Sequence, residues 1–164
     1  MKAFFTGHRN LVDSRYNINA INNLIDLALE KQTTNFLIGM ALGTDQLAAQ
    51  ILTKRNLKWT AIVPCSDQSL LWQRQDKAKY KKLLDAANDV KVLYPKYFEG
   101  VMHRRNMYMV KHSDLCLAVY NGSKIGGTCH AVNLAIAYNL PTVIFNPNTR
   151  KFQLKHRYQQ LSLF

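Results

Sequence analysis

One stretch of the sequence, residues 113–147, constrains the fold more than any other. Leu115–Tyr120 is a short apolar run typical of a buried parallel strand, and Thr142–Phe145 is a second such run. Between them lie a glycine-rich loop, Asn121–Thr128, and a helical segment that we expect Thr128 to cap. Two parallel strands joined by a helix form a βαβ unit, which predicts an α/β fold.

The same alternation of apolar runs and amphipathic segments extends back to the N-terminus. It predicts one doubly wound, mainly parallel sheet with helices on both faces. In the longest predicted helix, Leu70 and Leu71 are expected to pack inward. The predicted strands are Lys2–Thr6, Asn35–Gly39, Lys58–Val63 and Asp89–Tyr94, and the predicted helices are Tyr16–Lys31, Thr44–Arg55, Asp67–Asn88 and Val101–His112.

A length of 164 residues favours one domain with a full core, which we place at residues 1–147. Residues 148–164 are a basic, aromatic C-terminal tail that docks as a strand or helix or remains loose. No apolar run has the length of a membrane span, and the N-terminus lacks a signal-peptide pattern. The three cysteines show no CxxC spacing and no Cys/His cluster with metal-ligand spacing. We therefore expect reduced thiols, a cytoplasmic protein, no metal and no membrane partner.

The charge balance is strongly basic, with 22 Lys and Arg against 10 Asp and Glu, a formal net charge of +12. Such a balance favours anionic partners, namely nucleotides, nucleic acid or an acidic protein. A basic surface that is simply solvated is the alternative interpretation.

Three polar turns, Thr6–Arg9, Gly39–Asp45 and Asn121–Thr128, each follow the end of a predicted strand. The carboxyl ends of parallel strands meet at one edge of the sheet, where ligands of such folds bind. A glycine-rich loop that leads into a helix N-terminus also presents unpaired N–H groups, which suit an anion. The sequence therefore predicts a site for a phosphate-bearing ligand at this edge.

Three segments together resemble a known family: Phe4–Arg9 (FFTGHR), Ile38–Leu52 (IGMALGTDQLAAQIL) and His103–Asn139, which begins HRRN and contains IGGT. They are similar to the YpsA-like branch of the SLOG superfamily. That superfamily joins the Rossmann domain of DNA-processing protein A with the LONELY GUY phosphoribohydrolases. The resemblance implies a Rossmann-like fold that binds nucleotides or nucleotide-derived ligands, and a homo-oligomer.

The resemblance also implies a set of ligand-binding residues. The N–H and hydroxyl groups of the glycine loop would donate hydrogen bonds to phosphate. Arg105 would donate two parallel hydrogen bonds to phosphate oxygens. A capped turn and a surface ion pair are the alternative roles, and capping of a helix is the alternative for Asp45. The implied residues are Thr6, Gly7, His8, Arg9, Gly39, Gly43, Thr44, Asp45, Arg105, Asn106, Gly126, Gly127 and Thr128.

The sequence departs from the phosphoribohydrolases at one position. Those enzymes carry an acidic residue shortly after their Gly-Thr pair, whereas Gly127-Thr128 is followed by Cys129–Val132 without a carboxylate. Asp45, Asp114 and His8 are the candidates to replace it in acid-base chemistry. We therefore expect a sensor, a sequestering protein or a weak N-glycosidic hydrolase. The alternative is a single-stranded nucleic-acid binding protein resembling DNA-processing protein A.

Overall fold

The computed structural model describes residues 1–11 and 14–156. Strands and helices alternate along this part of the chain, because short apolar runs and amphipathic segments alternate in its sequence. The elements are β1 (Lys2–Gly7), α1 (Arg15–Glu30), β2 (Asn35–Ile38), α2 (Thr44–Lys54), β3 (Trp59–Cys65), α3 (Arg74–Ala86), β4 (Asp89–Tyr94), α4 (Val101–Lys111), β5 (Leu115–Val119), α5 (Gly127–Ala137), β6 (Thr142–Asn146) and β7 (Lys151–Lys155).

The strands form one sheet in the order β4-β3-β2-β1-β5-β6-β7, parallel throughout except for β7. The predicted α/β class and the Rossmann-like, doubly wound sheet are confirmed. The strand order reverses between β1 and β5, which are neighbours although four helices separate them in sequence. This reversal opens a crevice at the carboxyl edge, the general ligand position of such sheets.

The two faces of the sheet bury separate hydrophobic clusters, because successive side chains of a strand point to opposite sides. Ala3 and Phe5 of β1 pack with α1, α2 and α3 on one face. Phe4 packs with α4 and α5 on the other face. Among the described residues, no helix has both the length and the apolar character needed to cross a membrane.

The longest predicted helix is shorter than expected. Helix α3 begins at Arg74 instead of Asp67, and Leu70 and Leu71 are 63% and 94% exposed instead of buried. The preceding residues form turns, which the buried Gln68 side chain anchors by donating to the Gly39 carbonyl oxygen at 3.2 Å. This long-range contact outweighs the local helical pattern.

The C-terminal tail contributes an antiparallel edge strand. Strand β7 pairs with β6 from Asn146 opposite Lys151 to Thr142 opposite Lys155. Phe152 of β7 lies 5.0 Å from Phe145 of β6 between ring centroids. The remainder of the predicted tail, residues 157–164, lies outside the described residues, and the domain boundary at residue 147 stays a prediction.

Candidate functional site

The turns after β1 and β2 and the loop after β5 meet at the carboxyl edge of the sheet, beside the reversal of strand order. They enclose, together with the first turns of α4, a cleft of about 380 Å³. Its lining residues are Thr6, Gly7, His8, Arg9, Ala41, Asp45, Met102, His103, Arg105, Ile125, Gly126, Gly127 and Thr128.

Gly39, Gly43, Thr44 and Asn106, which were also predicted as ligand-binding residues, stand outside this lining and support it. A Cβ on Gly43 would lie 2.5 Å from the His8 carbonyl oxygen, and Gly43 also has a positive φ of 81°. A Cβ on Gly7 would lie 2.6 Å from the Cβ of Thr44. These two glycines are needed because the first two turns pack directly on each other.

The amino end of α2 is occupied by the protein itself. The backbone N–H of Thr44 donates to the His8 carbonyl oxygen at 3.2 Å, and the Thr44 hydroxyl donates to the same oxygen at 3.0 Å. Gly43 is the N-cap, so Thr44 and Asp45 do not cap this helix. The turn after β2 therefore stabilises the turn after β1 through these hydrogen bonds.

The amino end of α5 is open. Gly126 is its N-cap, with a φ of 100°, and Thr128 lies inside the helix instead of capping it. Within the described part of the chain, the amides of Gly127, Thr128 and Cys129 donate to no acceptor. No atom lies within 4 Å of a Cβ built on Gly126 or Gly127, so the space beside these two glycines is open. Such an end carries a positive partial charge and free donors.

Arg105 extends from α4 beneath the second turn, where it is 7% exposed. Its Nη1 donates to the Gly39 carbonyl oxygen at 2.9 Å, and its Nη2 donates to Asn106 Oδ1 at 3.1 Å. A Cβ on Gly39 would lie 2.8 Å from Arg105 Nε, so the glycine makes room for the guanidinium. Burial lowers the pKa of Arg105, and the nearby Asp45 carboxylate opposes that shift.

Asp45 is 3% exposed and lies at the base of the cleft. Its Oδ2 accepts a hydrogen bond from the Ala41 amide at 3.1 Å. Burial raises the pKa of this carboxyl group, while the positive charges of Arg105 and Arg9 act in the opposite direction. Its first role is therefore to hold the second turn and balance the buried Arg105 charge.

Asn106 connects α4 to the start of α5. Its Nδ2 donates to the Gly127 carbonyl oxygen at 3.2 Å and lies 3.3 Å from His130 Nδ1. Because Asn106 Oδ1 accepts from Arg105, its amide nitrogen faces His130, whose Nδ1 must be the acceptor. His130 also stacks on His103, with ring centroids 4.0 Å apart.

The sequence interpretation missed Ala41, Met102, His103 and Ile125 as lining residues. One usable signal was available for His103, which precedes Asn106 by three residues and so shares its helix face. Ile125 carried no such signal, since its 83% exposed side chain follows only from the loop conformation.

The remaining candidates for acid-base chemistry have structural roles. His8 Nε2 accepts from the Asn121 amide at 2.9 Å, and burial lowers the pKa of the His8 ring. Asp114 is at the opposite, amino edge of the sheet, where its Oδ2 accepts from the Lys2 amide at 2.8 Å. Because Asp114 directly precedes the parallel strand β5, it lies at the far edge of the sheet from the cleft.

Comparison with known proteins matches this chain to the YpsA family model, described as the YspA SLOG family, over residues 7–142. The chain belongs to this SLOG family. The chain is 33% identical over 127 residues to the uncharacterized SPbeta prophage-derived protein YoqJ of Bacillus subtilis, covering 67% of this chain and 74% of YoqJ. It is 27% identical over 139 residues to a UPF0398 protein of Halalkalibacterium halodurans, covering 80% and 72% of the two chains.

Two solved structures share the fold of this SLOG family member. DNA processing protein A from Helicobacter pylori, whose structure describes a single-stranded DNA binding mode, superposes with a TM-score of 0.67 at 20% identity. The match covers 99% of this chain and 71% of that one. DNA processing protein A from Streptococcus pneumoniae gives a TM-score of 0.66 at 14% identity. This match covers 87% of this chain and 49% of that one. The predicted relation to this group is thereby confirmed at the level of family and fold.

Proposed function

We propose that the chain binds a nucleotide or nucleotide-derived ligand in the cleft, with a phosphate group at the open amino end of α5. The observation that carries this proposal is the contrast between two helix ends. The amides that begin α5, at Gly127 and Thr128, lack protein acceptors among the described residues, and the space beside Gly126 and Gly127 is open, whereas the His8 carbonyl fills the amino end of α2. A phosphate oxygen is the natural acceptor for such amides.

The charges around the cleft support the same ligand class. Arg9 and Arg105 both line the cleft, and Asp45 is the acidic residue in its described lining. The exposed Arg9 side chain is available to a phosphate, while the buried Arg105 supplies positive potential from below. The site therefore carries more positive than negative charge before any ligand binds.

The proposal favours binding over hydrolysis. The loop from Gly126 to Cys129 carries no carboxylate, and Asp45 is hydrogen-bonded to the Ala41 amide. Cleavage of an N-glycosidic bond is assisted by a carboxylate near the developing positive charge on the sugar, or by a base that activates the attacking water. We therefore propose a sensor or sequestering role, with weak hydrolysis as the lesser activity of the same site.

Isothermal titration calorimetry with AMP, ADP-ribose, NAD, a cyclic nucleotide and pyrophosphate tests this proposal. Gly127→Asp places a carboxylate at the α5 amides and should weaken binding by at least about tenfold, which corresponds to 1.4 kcal/mol. Gln75→Asp on the exposed surface of α3 makes the same charge change away from the cleft and should leave affinity unchanged. If no compound binds the wild-type chain, or if both variants bind alike, the proposal is wrong.

A second candidate function is binding of single-stranded nucleic acid, and the surface around the start of α3 favours it. Arg74, Lys77 and Lys81 of α3 are exposed, and the preceding turn exposes Leu71. The 62% exposed Tyr97 lies beside this turn, because its amide donates to Asp67 Oδ1 at 2.8 Å. Cationic side chains beside an exposed aromatic ring suit a single strand, whose bases stack on such rings.

Fluorescence anisotropy with a labelled oligonucleotide separates the two candidates. For nucleic-acid binding, the double change Lys77→Glu and Lys81→Glu should reduce affinity at least about tenfold, and added salt should weaken binding steeply. Gly127→Asp should then have no effect. Absence of an anisotropy change at low salt would remove this candidate.

We also propose a homo-oligomer. Edge strand β4 leaves Val90 and Val92 40% and 48% exposed, and an unpaired edge of this kind can pair with another chain. Light scattering coupled to size exclusion tests this proposal, and a monomeric mass at the highest working concentration would contradict it.

A further inference from the structure

A second cavity adjoins the phosphate cleft at the carboxyl edge of the sheet. It has a volume of about 460 Å³ and shares His8 and Arg9 with the first cleft. The first turn of the fold therefore separates two spaces that open on either side of it. The remaining described lining residues are Asn10, Leu11, Asn17, Asn121, Pro147 and Asn148.

The lining of this second cavity differs in chemistry from the phosphate cleft. Amide side chains predominate, and no carboxylate belongs to its described lining. The side chains of Asn10 and Asn148 are exposed and make no hydrogen bond to another residue within 1–11 and 14–156. Leu11 and Pro147 add apolar surface. Such a lining suits a neutral group with apolar faces and hydrogen-bonding edges.

The wall between the two spaces is held in place by hydrogen bonding and ring packing. His8 Nε2 accepts from the Asn121 amide at 2.9 Å, and the His8 ring lies 5.8 Å from the Tyr120 ring. The next residue, Arg9, is exposed and lines both spaces. A ligand that crosses this turn would keep its phosphate within reach of Arg9.

The outer side of the second cavity is also ordered. In the turn between β6 and β7, the Asn148 amide donates to Asn146 Oδ1 at 2.9 Å. Arg150 of the same turn stacks over the Tyr16 ring, with its Cζ 3.6 Å from the ring centroid. This contact fixes the turn against the start of α1, so the position of Asn148 is set before a ligand arrives.

We infer that the second cavity binds the nucleobase of the ligand whose phosphate occupies the open end of α5. The inference rests on the proposed function and adds to it the position and the chemistry of the base subsite. A base combines flat apolar faces with donors and acceptors along its edge, and the side-chain amides of Asn10 and Asn148 can pair with that edge. The His8–Arg9 turn then lies beneath the sugar and phosphate.

Calorimetry with AMP, GMP, CMP, ribose 5-phosphate and pyrophosphate tests the inference. Asn10→Leu and Asn148→Leu fill the cavity and remove its amides, whereas Asn19→Leu changes an exposed asparagine outside the lining. For at least one nucleotide, each of the first two variants should weaken binding about tenfold, equivalent to 1.4 kcal/mol. The affinities for ribose 5-phosphate and pyrophosphate, and every affinity of Asn19→Leu, should stay at the wild-type value.

Failure of this inference is distinguishable from failure of the proposed function. If Gly127→Asp weakens nucleotide binding while Asn10→Leu and Asn148→Leu do not, the phosphate site stands and the base subsite is wrong. If the asparagine variants weaken the binding of ribose 5-phosphate as much as that of the nucleotide, the base assignment is also wrong, because the cavity would then hold the sugar. If none of these five compounds binds the wild-type chain and ADP-ribose, NAD and the cyclic nucleotide also fail to bind, both proposals are wrong.

Discussion

At the scale of single residues, the glycines of the carboxyl-edge turns have two different functions. Gly7 and Gly43 are required because the first and second turns touch. Gly126 and Gly127 have open space where a side chain would be, and they leave the α5 amides accessible. The same residue type thus stabilises the fold in one turn and keeps a site open in another.

Substitution of these glycines by alanine should separate the two functions. Gly7→Ala should lower the free energy of unfolding by about 1–3 kcal/mol, because its Cβ would lie 2.6 Å from the Cβ of Thr44. Gly127→Ala, with no atom within 4 Å of the new Cβ, should change it by less than about 0.5 kcal/mol. Urea denaturation measures both values. Equal destabilisation would contradict the distinction.

His130 should make the stability of the chain depend on pH. Burial and the neighbouring His103 lower the pKa of His130 from its ordinary value of 6.5. The unfolded chain therefore binds a proton more readily, so stability is full above pH 6.5 and falls as the pH drops towards the lower folded pKa. Between pH 7 and pH 5, the unfolding temperature should fall less for His130→Gln than for the wild type. His112→Gln is the control. An equal fall in unfolding temperature for the wild type and both variants would contradict this role of His130.

At the scale of elements, the contact between α4 and α5 determines the shape of the first cleft, at the amino end of α5. Asn106, which is 1% exposed, accepts from Arg105 and donates to the Gly127 carbonyl oxygen. Its two-sided amide therefore ties the buried arginine to the start of α5. Helix α2 faces the same edge but is tied to the first turn, through Thr44 and the His8 carbonyl. The different attachments explain why one helix end is filled and the other is open.

Loss of the Asn106 amide should loosen this contact. Asn106→Ala leaves donors of Arg105 without their buried acceptor, and it should cost roughly 1–3 kcal/mol of unfolding free energy. Hydrogen exchange should rise at the amides of α5 from His130 onward before it rises in α2. Uniform acceleration along the chain would show a global loss of stability instead of a local one.

At the scale of the whole molecule, the reversal of strand order brings distant segments together. Every described lining residue of the first cleft lies within residues 1–147, while Asn148 of the second cavity belongs to the turn before β7. Strand β7 also covers the edge of β6 and places Phe152 beside Phe145. Within residues 148–156, the C-terminal segment therefore contributes to one cavity and to the sheet, and it contributes no residue to the first cleft.

A chain ending at residue 147 tests this division. We expect it to unfold cooperatively at a lower temperature than the full chain, because β6 loses its neighbour. Pyrophosphate affinity should be retained within about threefold, whereas nucleotide affinity should fall, since Asn148 is removed. Loss of the cooperative transition would show that residues 1–147 are not a domain by themselves.

The alternation of apolar runs and amphipathic segments allowed the fold class and most strands to be predicted. Its clearest failure was the start of α3, where the buried Gln68 contacts Gly39 and holds turns instead of helix. The pattern recorded which residues prefer to be buried, but it contained no information about a hydrogen bond across 29 residues. Asp114 failed as a site candidate for a related reason. Its position at the amino edge of the sheet depends on the direction of β5, which the local sequence pattern does not contain.

The sequence by itself determined the α/β fold and the family, and it indicated which turns follow strand ends, because these depend on local patterns and motifs. Only the tertiary structure decided which glycine turn is open, because that depends on whether another segment supplies an acceptor. The His8 carbonyl fills the end of α2, and no described group fills the end of α5. The second cavity is likewise a tertiary feature, since its lining comes from turns more than 100 residues apart.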